Sequence, residues 1–198
     1  MIFCGMFARQ ELIKLGGHDT MENIFSKTGG GHEKFTWETL GDIKGGRGDL
    51  GEDMPVIVYR LMQFTMVDIL SKKYGLDEAN ACFKDAGFLA GTEFAKNVLD
   101  LNVDFSTFVS SLQKALEDLK IGILRIEVYE ADSGKLVLTV EQDLDCSGLP
   151  ITNENVCIYD EGFIAGILNA YTGKTYDVHE VDCWASGDRV CRFNADVV

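Results

Sequence analysis

Apolar residues recur at helical spacing from residue 53 to about residue 120. Asp53 suits an N-cap and Pro55 a first helical turn, so a first helix is predicted to begin there and to stop at Gly75. Apolar positions three and four apart continue this pattern and predict two further helices, over 77–99 and 106–120.

The pattern changes to strands after residue 120. Two runs that mix apolar and polar residues flank the turn Asp132-Ser133-Gly134, which is typical of a hairpin. A helix and a second hairpin are predicted to follow. This order predicts an α+β fold, with the N-terminal helices packed on a twisted antiparallel sheet. The predicted elements are strands over 121–129 and 135–142, a helix over 160–171, and strands over 175–184 and 189–193.

Residues 1–34 are interrupted by glycines and are predicted to form a flexible leader before one domain over 35–198. A second glycine-rich stretch, 40–51, is predicted to be a loop. Its part from Gly46 to Gly51 matches G-x-G-x-x-G, but a dinucleotide site also needs a strand before it and a βαβ unit around it. The match is therefore interpreted as a glycine turn.

Charge and hydropathy narrow the classes of partner. The chain has 198 residues and a formal charge of -14, which argues against nucleic acid and against anionic membranes. Its apolar runs are shorter than the roughly 18 residues that a spanning helix requires. The apolar start lacks a basic leader, so we expect a cytoplasmic protein.

Four of the six cysteines fall within the last 53 residues. In a cytoplasmic protein, clustered cysteines indicate a metal or redox site before they indicate disulfides. If the last hairpin turns through residues 186–188, Cys183 and Cys191 lie opposite each other, with Cβ atoms about 5 Å apart. That spacing suits two thiolates on one zinc ion, and after adjustment a disulfide.

Glu180 and Cys157 complete a candidate set of metal ligands. The apolar parity of the strand changes near His179 and Glu180, which predicts a β-bulge that turns Glu180 toward the cysteines. Three thiolates and a carboxylate would fill a tetrahedral zinc shell. His179 is a spare ligand or points away from the metal. Alternatively, the cysteines are small buried hydrophobic residues.

Residues 156–166 and 180–193 carry a family resemblance. The pattern of Cys183, Gly187-Asp188 and Cys191-Arg192-Phe193 resembles the 4-vinyl reductase domain family. The resemblance implies a fold similar to the TRAPP tethering subunits and related to haem nitric-oxide-binding domains, and a homodimer. It also implies zinc bound by Cys157, Glu180, Cys183 and Cys191, with Cys146 as a spare candidate.

Aromatic residues on apolar faces are candidates for the wall of a ligand pocket or for filled core. Gly87, Gly91, Gly162 and Gly166 could admit another helix or a ligand. The acid pairs at 143/145 and 160/161 are interpreted as solvated faces, because the chain has 32 acids in all. The candidate pocket residues are Tyr59, Phe83, Phe94, Phe108, Tyr159, Phe163 and Trp184.

The leading functional hypothesis is a zinc-stabilised, cytoplasmic, small-molecule-binding sensor domain for an apolar or aromatic ligand. A reductase or thiol-redox enzyme is the first alternative, although no catalytic or cofactor motif is evident. A protein-interaction or tethering module is the second.

Overall fold

The structure is a computed structural model that describes residues 34–198. Apart from Lys34, the predicted leader lies outside the described residues, as do Cys4, His18 and His32. The helices are a 3-10 turn Trp37–Leu40, α1 Ile43–Gly46, α2 Val56–Tyr74, α3 Leu76–Val98, α4 Phe105–Asp118 and α5 Ile158–Thr172.

The helices of the first half lie close to their predicted bounds, with one difference at the start of α2. Pro55 is the N-cap, in an extended conformation, and no side chain caps the helix there. Asp53 therefore does not cap it. In the predicted loop over 40–51, α1 forms one turn because the Asp42 side chain accepts a hydrogen bond from the Gly45 amide at 2.8 Å.

Four antiparallel strands form one sheet in the order β1-β2-β4-β3. The two hairpins pair through β2 and β4, so the last strand of the chain is inside the sheet. This confirms the α+β prediction. The strands are β1 Ile123–Glu130, β2 Lys135–Glu141, β3 Tyr176–Asp182 and β4 Cys191–Val197.

The predicted bulge in β3 is present. Glu180 pairs with Phe193 and Asp182 pairs with Arg192, so the register shifts by one residue between these pairs. Val181 is the extra residue and is exposed, whereas Glu180 is buried. A bulge that reverses the side-chain alternation explains how a glutamate comes to lie inside the sheet.

The glycines of α3 and α5 form a helix–helix contact. A Cβ atom on Gly91 would lie 2.0 Å from the Phe163 carbonyl oxygen, and one on Gly162 would lie 1.9 Å from the Lys84 carbonyl oxygen. Backbone atoms cannot yield as a flexible side chain can. Of the two alternatives left open by the sequence, the space admits another helix and no ligand.

The core lies between the sheet and helices α4 and α5. Phe108, Leu136, Val178 and Phe193 are its largest fully buried apolar side chains after the cysteines are set aside. Helix α2 lies outside this core, and Gln63 is its one buried residue. In the described part of the chain, no helix combines the length and the hydrophobicity that crossing a bilayer requires.

Candidate metal centre and ligand cavity

Four buried cysteines meet where three parts of the chain converge. Cys146 comes from the loop after β2, Cys157 is the N-cap of α5, and Cys183 and Cys191 bound the turn between β3 and β4. Each is at most 1% exposed, and their sulfur atoms all lie within 4.8 Å of one another. The fifth described cysteine, Cys82, is exposed on α3.

The distances between the sulfur atoms indicate what the cluster can bind. The Cys157 sulfur lies 3.8 Å from that of Cys183 and 3.7 Å from that of Cys191. Four sulfurs at about 2.3 Å from a zinc ion lie about 3.8 Å from one another in a tetrahedron. The Cys146 and Cys191 sulfurs are 3.0 Å apart, too far for a disulfide bond of about 2.05 Å.

The four thiols do not ionise independently. Hydrogen bonds from the neighbouring thiols, that of Cys146 first, lower the pKa of Cys183. The hydrogen bond with Cys146 is also the main cause that raises the pKa values of Cys157 and Cys191. One thiolate therefore forms readily and suppresses the others, so a full set of thiolates requires a cation among them.

Glu180 adjoins the cluster. Its Oε2 accepts a hydrogen bond from the Cys157 amide at 3.1 Å, and its buried Oε1 has no hydrogen-bond partner. Burial raises the pKa of Glu180 to about 8. Glu180 is thus held beside Cys157, while the group of sulfurs within 4.8 Å is completed by Cys146.

His179 lies away from the cysteines. Its side chain is 62% exposed, and its ring contacts the Asp177 carboxylate at 3.0 Å. The next residue, Glu180, faces inward, as alternation along a strand requires. Of the two options that the sequence left open for His179, the structure supports a side chain that points toward solvent.

An apolar cavity of about 50 Å³ lies between α4, α5 and the sheet. Two of the predicted pocket residues, Phe108 and Phe163, line it. Its polar lining consists of Asp143 and Asp160. The remaining lining residues are Phe105, Val109, Leu112, Leu116, Ile121, Leu124, Ile126, Leu136, Leu138, Val140, Ile164, Ile167 and Leu168.

The other predicted pocket residues lie elsewhere. Phe83 and Tyr159 line a separate cleft of about 420 Å³ beside α2. Phe94 is core and packs against Phe163 with ring centroids 5.4 Å apart. The Tyr59 hydroxyl donates to Asp145 at 2.8 Å, and the Trp184 indole donates to the Leu149 carbonyl at 3.1 Å.

The interpretation of the acid pairs as solvated faces is wrong. Asp143, Asp145 and Glu161 are buried, and the Oδ2 atom of Asp160 is buried without a hydrogen-bond partner. Burial, aided by the charge of Asp145, raises the pKa of Asp143 to about 7. Burial also raises the pKa of Asp160 well above its ordinary value.

Each buried acid has a different compensation. The Asp143 carboxylate accepts hydrogen bonds from the amides of Asp145 and Cys146, at 2.8 and 3.2 Å. Glu161 accepts from the Lys84 ammonium at 2.9 Å and from the Glu180 amide at 2.9 Å. In a chain with 32 acids, the sequence carried no signal that singled these out.

Helix α2 holds the loop that carries Cys146. Gln63 donates to the Asp145 carboxylate at 2.6 Å, beside the bond from Tyr59. The Arg60 guanidinium donates to the carbonyl oxygens of Leu144 and Ser147 at 2.7 and 2.9 Å. Arg60 and Gln63 therefore position the loop, a role that sequence reasoning missed because their partners are remote in the sequence.

Three solved structures share this fold. The phenol-responsive sensory domain of the transcription activator PoxR, with phenol, matches with a TM-score of 0.57 and 15% identity, over 73% of this chain and 75% of that one. A vinyl-4-reductase family protein from Methanocaldococcus jannaschii matches with a TM-score of 0.54 and 15% identity, over 75% and 85%. A trafficking protein particle complex subunit 3 from Naegleria fowleri, covalently bound to palmitic acid, matches with a TM-score of 0.58 and 13% identity, over 72% and 95%.

Sequence comparison agrees with the structural comparison. The uncharacterized protein MJ1642 of Methanocaldococcus jannaschii is 28% identical over 151 residues, which cover 76% of this chain and 82% of that protein. Residues 136–197 match the family model of the 4-vinyl reductase domain. The predicted resemblance is confirmed: this chain carries a domain of the 4-vinyl reductase family. The matched region contains the four clustered cysteines.

Proposed function

We propose that this chain is a cytoplasmic sensor domain that binds a small apolar or aromatic molecule, stabilised by zinc at the clustered cysteines. The observation that carries the proposal is the apolar cavity between α4, α5 and the sheet. An internal apolar cavity with a few polar groups is the usual form of a small-molecule site. The likeness in fold to a phenol-responsive sensory domain supports this use.

The size of the cavity bears on how it would work. An apolar cavity of about 150 Å³ holds benzene in an engineered protein. The cavity here is about 50 Å³, so an aromatic ring enters only if the surrounding side chains move apart. Binding would therefore rearrange the wall, and a wall that moves with occupancy is what a sensor requires.

The cysteine cluster fits zinc as a structural ion. The distances of 3.7 and 3.8 Å from the Cys157 sulfur agree with a tetrahedral shell. We favour Cys146, Cys157, Cys183 and Cys191 as the ligands, with Glu180 supporting Cys157 from outside the shell. When bound, the ion would join three separate parts of the chain, which stabilises the fold.

A second copy of this chain is the proposed partner of α2. Large apolar residues on this helix are exposed, including Ile57 (74%), Leu61 (65%) and Met62 (61%). Contiguous exposed apolar residues mark interaction surfaces in soluble proteins. Because Tyr59 and Gln63 hold Asp145 on the neighbouring loop, a change in that loop would reach this surface.

A thiol-redox activity is the second candidate. The 3.0 Å distance between the sulfurs of Cys146 and Cys191 places two thiols where a disulfide could form. An oxidant such as peroxide would take two electrons, and two protons would leave the thiols. Titration of the native metal-free chain with a thiol reagent tests this, since rapid loss of two thiols supports it and complete protection excludes it.

The ligand proposal is tested by thermal shift with phenol, toluene and indole as probes. A molecule that binds only the native state raises the melting temperature. Val109 lines the cavity and is partly exposed, so Val109→Phe should fill the space at little cost. Val128→Phe is the matched control on the exposed part of β1.

We expect at least one probe to raise the melting temperature of the wild type and of Val128→Phe but not of Val109→Phe. If no probe stabilises the wild type, or if Val109→Phe responds like the wild type, this cavity is not the binding site.

A further inference from the structure

The polar end of the cavity consists of carboxylates alone. Among 17 lining residues, the two polar ones are Asp143 and Asp160. Both lie beside Cys157, and one ligand atom from each of the three residues falls within 4.8 Å of the others. The apolar walls and the carboxylates thus form a pocket with one polar pole.

The two carboxylates have no cationic partner among residues 34–198. Glu161, by comparison, binds Lys84 at 2.9 Å. Asp143 uses its Oδ1 atom to accept two backbone amides, and the buried Oδ2 atom of Asp160 accepts no hydrogen bond. A buried carboxylate oxygen without a donor is costly, so this pole lacks a hydrogen-bond donor and a positive charge.

The surroundings of the pole favour the same sign of charge. The neighbouring cysteines add negative charge whenever they ionise, and four thiolates around one divalent ion still carry a net charge of about -2. A carboxylate or another acceptor on a ligand would face carboxylate oxygens and be repelled. An ammonium group donates hydrogen bonds to carboxylates and offsets their charge.

We infer that the cavity selects a ligand with a short apolar body and an ammonium head that donates to Asp160 and Asp143. The cavity of about 50 Å³ favours a short alkyl chain over a ring. The inference rests on the proposed function, since it names the class of ligand that the same cavity would take. It also predicts discrimination against carboxylates of equal length.

The test compares three series of probes on the full wild-type chain by calorimetric titration. Methyl-, ethyl-, propyl- and butylammonium are measured against the alcohols and the carboxylates of matched length. We expect an alkylammonium to bind at least about tenfold more tightly than its alcohol, and the carboxylates not to bind. Ammonium chloride at the same ionic strength controls for a salt effect.

Two substitutions assign the binding to the pole. Asp160→Asn keeps the shape of the side chain and removes its charge, and should abolish the preference for ammonium over alcohol. Asp177→Asn is the control, because Asp177 is a carboxylate with an exposed side chain that does not line the cavity. Circular dichroism establishes that each variant is folded, and Asp143→Asn replaces Asp160→Asn if the latter is not.

The outcomes separate the inference from the proposed function. If alcohols or arenes bind and ammonium compounds bind no better, the choice of ligand class is overturned while the cavity remains a binding site. If Asp160→Asn and Asp143→Asn keep the full preference for ammonium, the pole is overturned. If no probe of any class binds, the proposed function fails and the inference fails with it.

Discussion

The sulfur atoms of Cys157 and Cys183 lie 3.8 Å apart, although the residues belong to different elements and are separated by 26 positions. Cys157 opens α5 and Cys183 follows β3. The contact therefore fixes the helix that forms one wall of the cavity against the end of the sheet that forms another. The same geometry that suits a metal also positions the ligand cavity.

The first prediction distinguishes the two sets of metal ligands. Cys146→Ser should lower the zinc content of the purified chain and its melting temperature, because the hydroxyl is a poor replacement for a thiolate. Glu180→Gln should keep the zinc, because the amide oxygen can still accept the hydrogen bond of the Cys157 amide. Elemental analysis beside a thermal melt measures both effects.

The opposite pattern would return Glu180 to the shell. Retention of zinc by Cys146→Ser, together with its loss in Glu180→Gln, would leave three thiolates and a carboxylate as the ligands. Cys82→Ser is the control, since Cys82 is exposed and outside the cluster.

The second prediction concerns the contact between α3 and α5. Gly91→Ala would place a Cβ atom 2.0 Å from the Phe163 carbonyl oxygen, so the helices must move apart. Overpacking typically costs about 1–3 kcal/mol, and we expect at least the upper end here because the obstacle is backbone. Denaturant unfolding measures the free energy, with Gly48→Ala as a control whose Cβ atom would meet nothing within 4 Å. Equal stability of the two variants would show that the helices are not in close contact.

The third prediction concerns the wall of the cavity. Leu138 lines it and is 3% exposed, so Leu138→Ala should lower the free energy of unfolding by about 2–5 kcal/mol. The enlarged cavity should also accept larger apolar probes than the wild type does. Leu119→Ala removes an exposed leucine and should leave stability within about 0.5 kcal/mol of the wild type. A Leu138→Ala variant as stable as Leu119→Ala would contradict the assignment of this wall.

The fourth prediction concerns assembly. If α2 forms the interface of a homodimer, Leu61→Asp should convert dimer to monomer, since a buried charge without a partner is costly. Val128→Asp introduces the same charge on β1 and should leave the dimer intact. Sedimentation equilibrium gives the mass of each species. A wild-type chain that is monomeric at high concentration would refute the proposal.

The antiparallel sheet and the bulge could be predicted from the sequence because their signals are local. Alternation along the strand reverses near Glu180, and such a reversal has few causes besides an extra residue. Helix α5 is also local in origin, since its apolar residues follow a helical period. These elements required no knowledge of distant contacts.

The site was less predictable, because its distances join remote parts of the chain. The cysteines were recognised as a group by their type, but the position of Cys146 beside Cys191 depends on how the loop is held by Arg60 and Gln63. The burial of Asp143 follows from the same packing. An acid in a loop reads as solvated until the fold closes over it.

The most direct test of the central claim is the zinc content of the untagged wild-type chain, purified without chelator. The account holds that the clustered cysteines form one closed structural site that fixes the wall of the cavity. It predicts about one zinc ion per chain, with a large drop in melting temperature when a strong chelator removes it. Folded chain that contains no metal, and whose melting temperature does not change when zinc is supplied, would contradict the account.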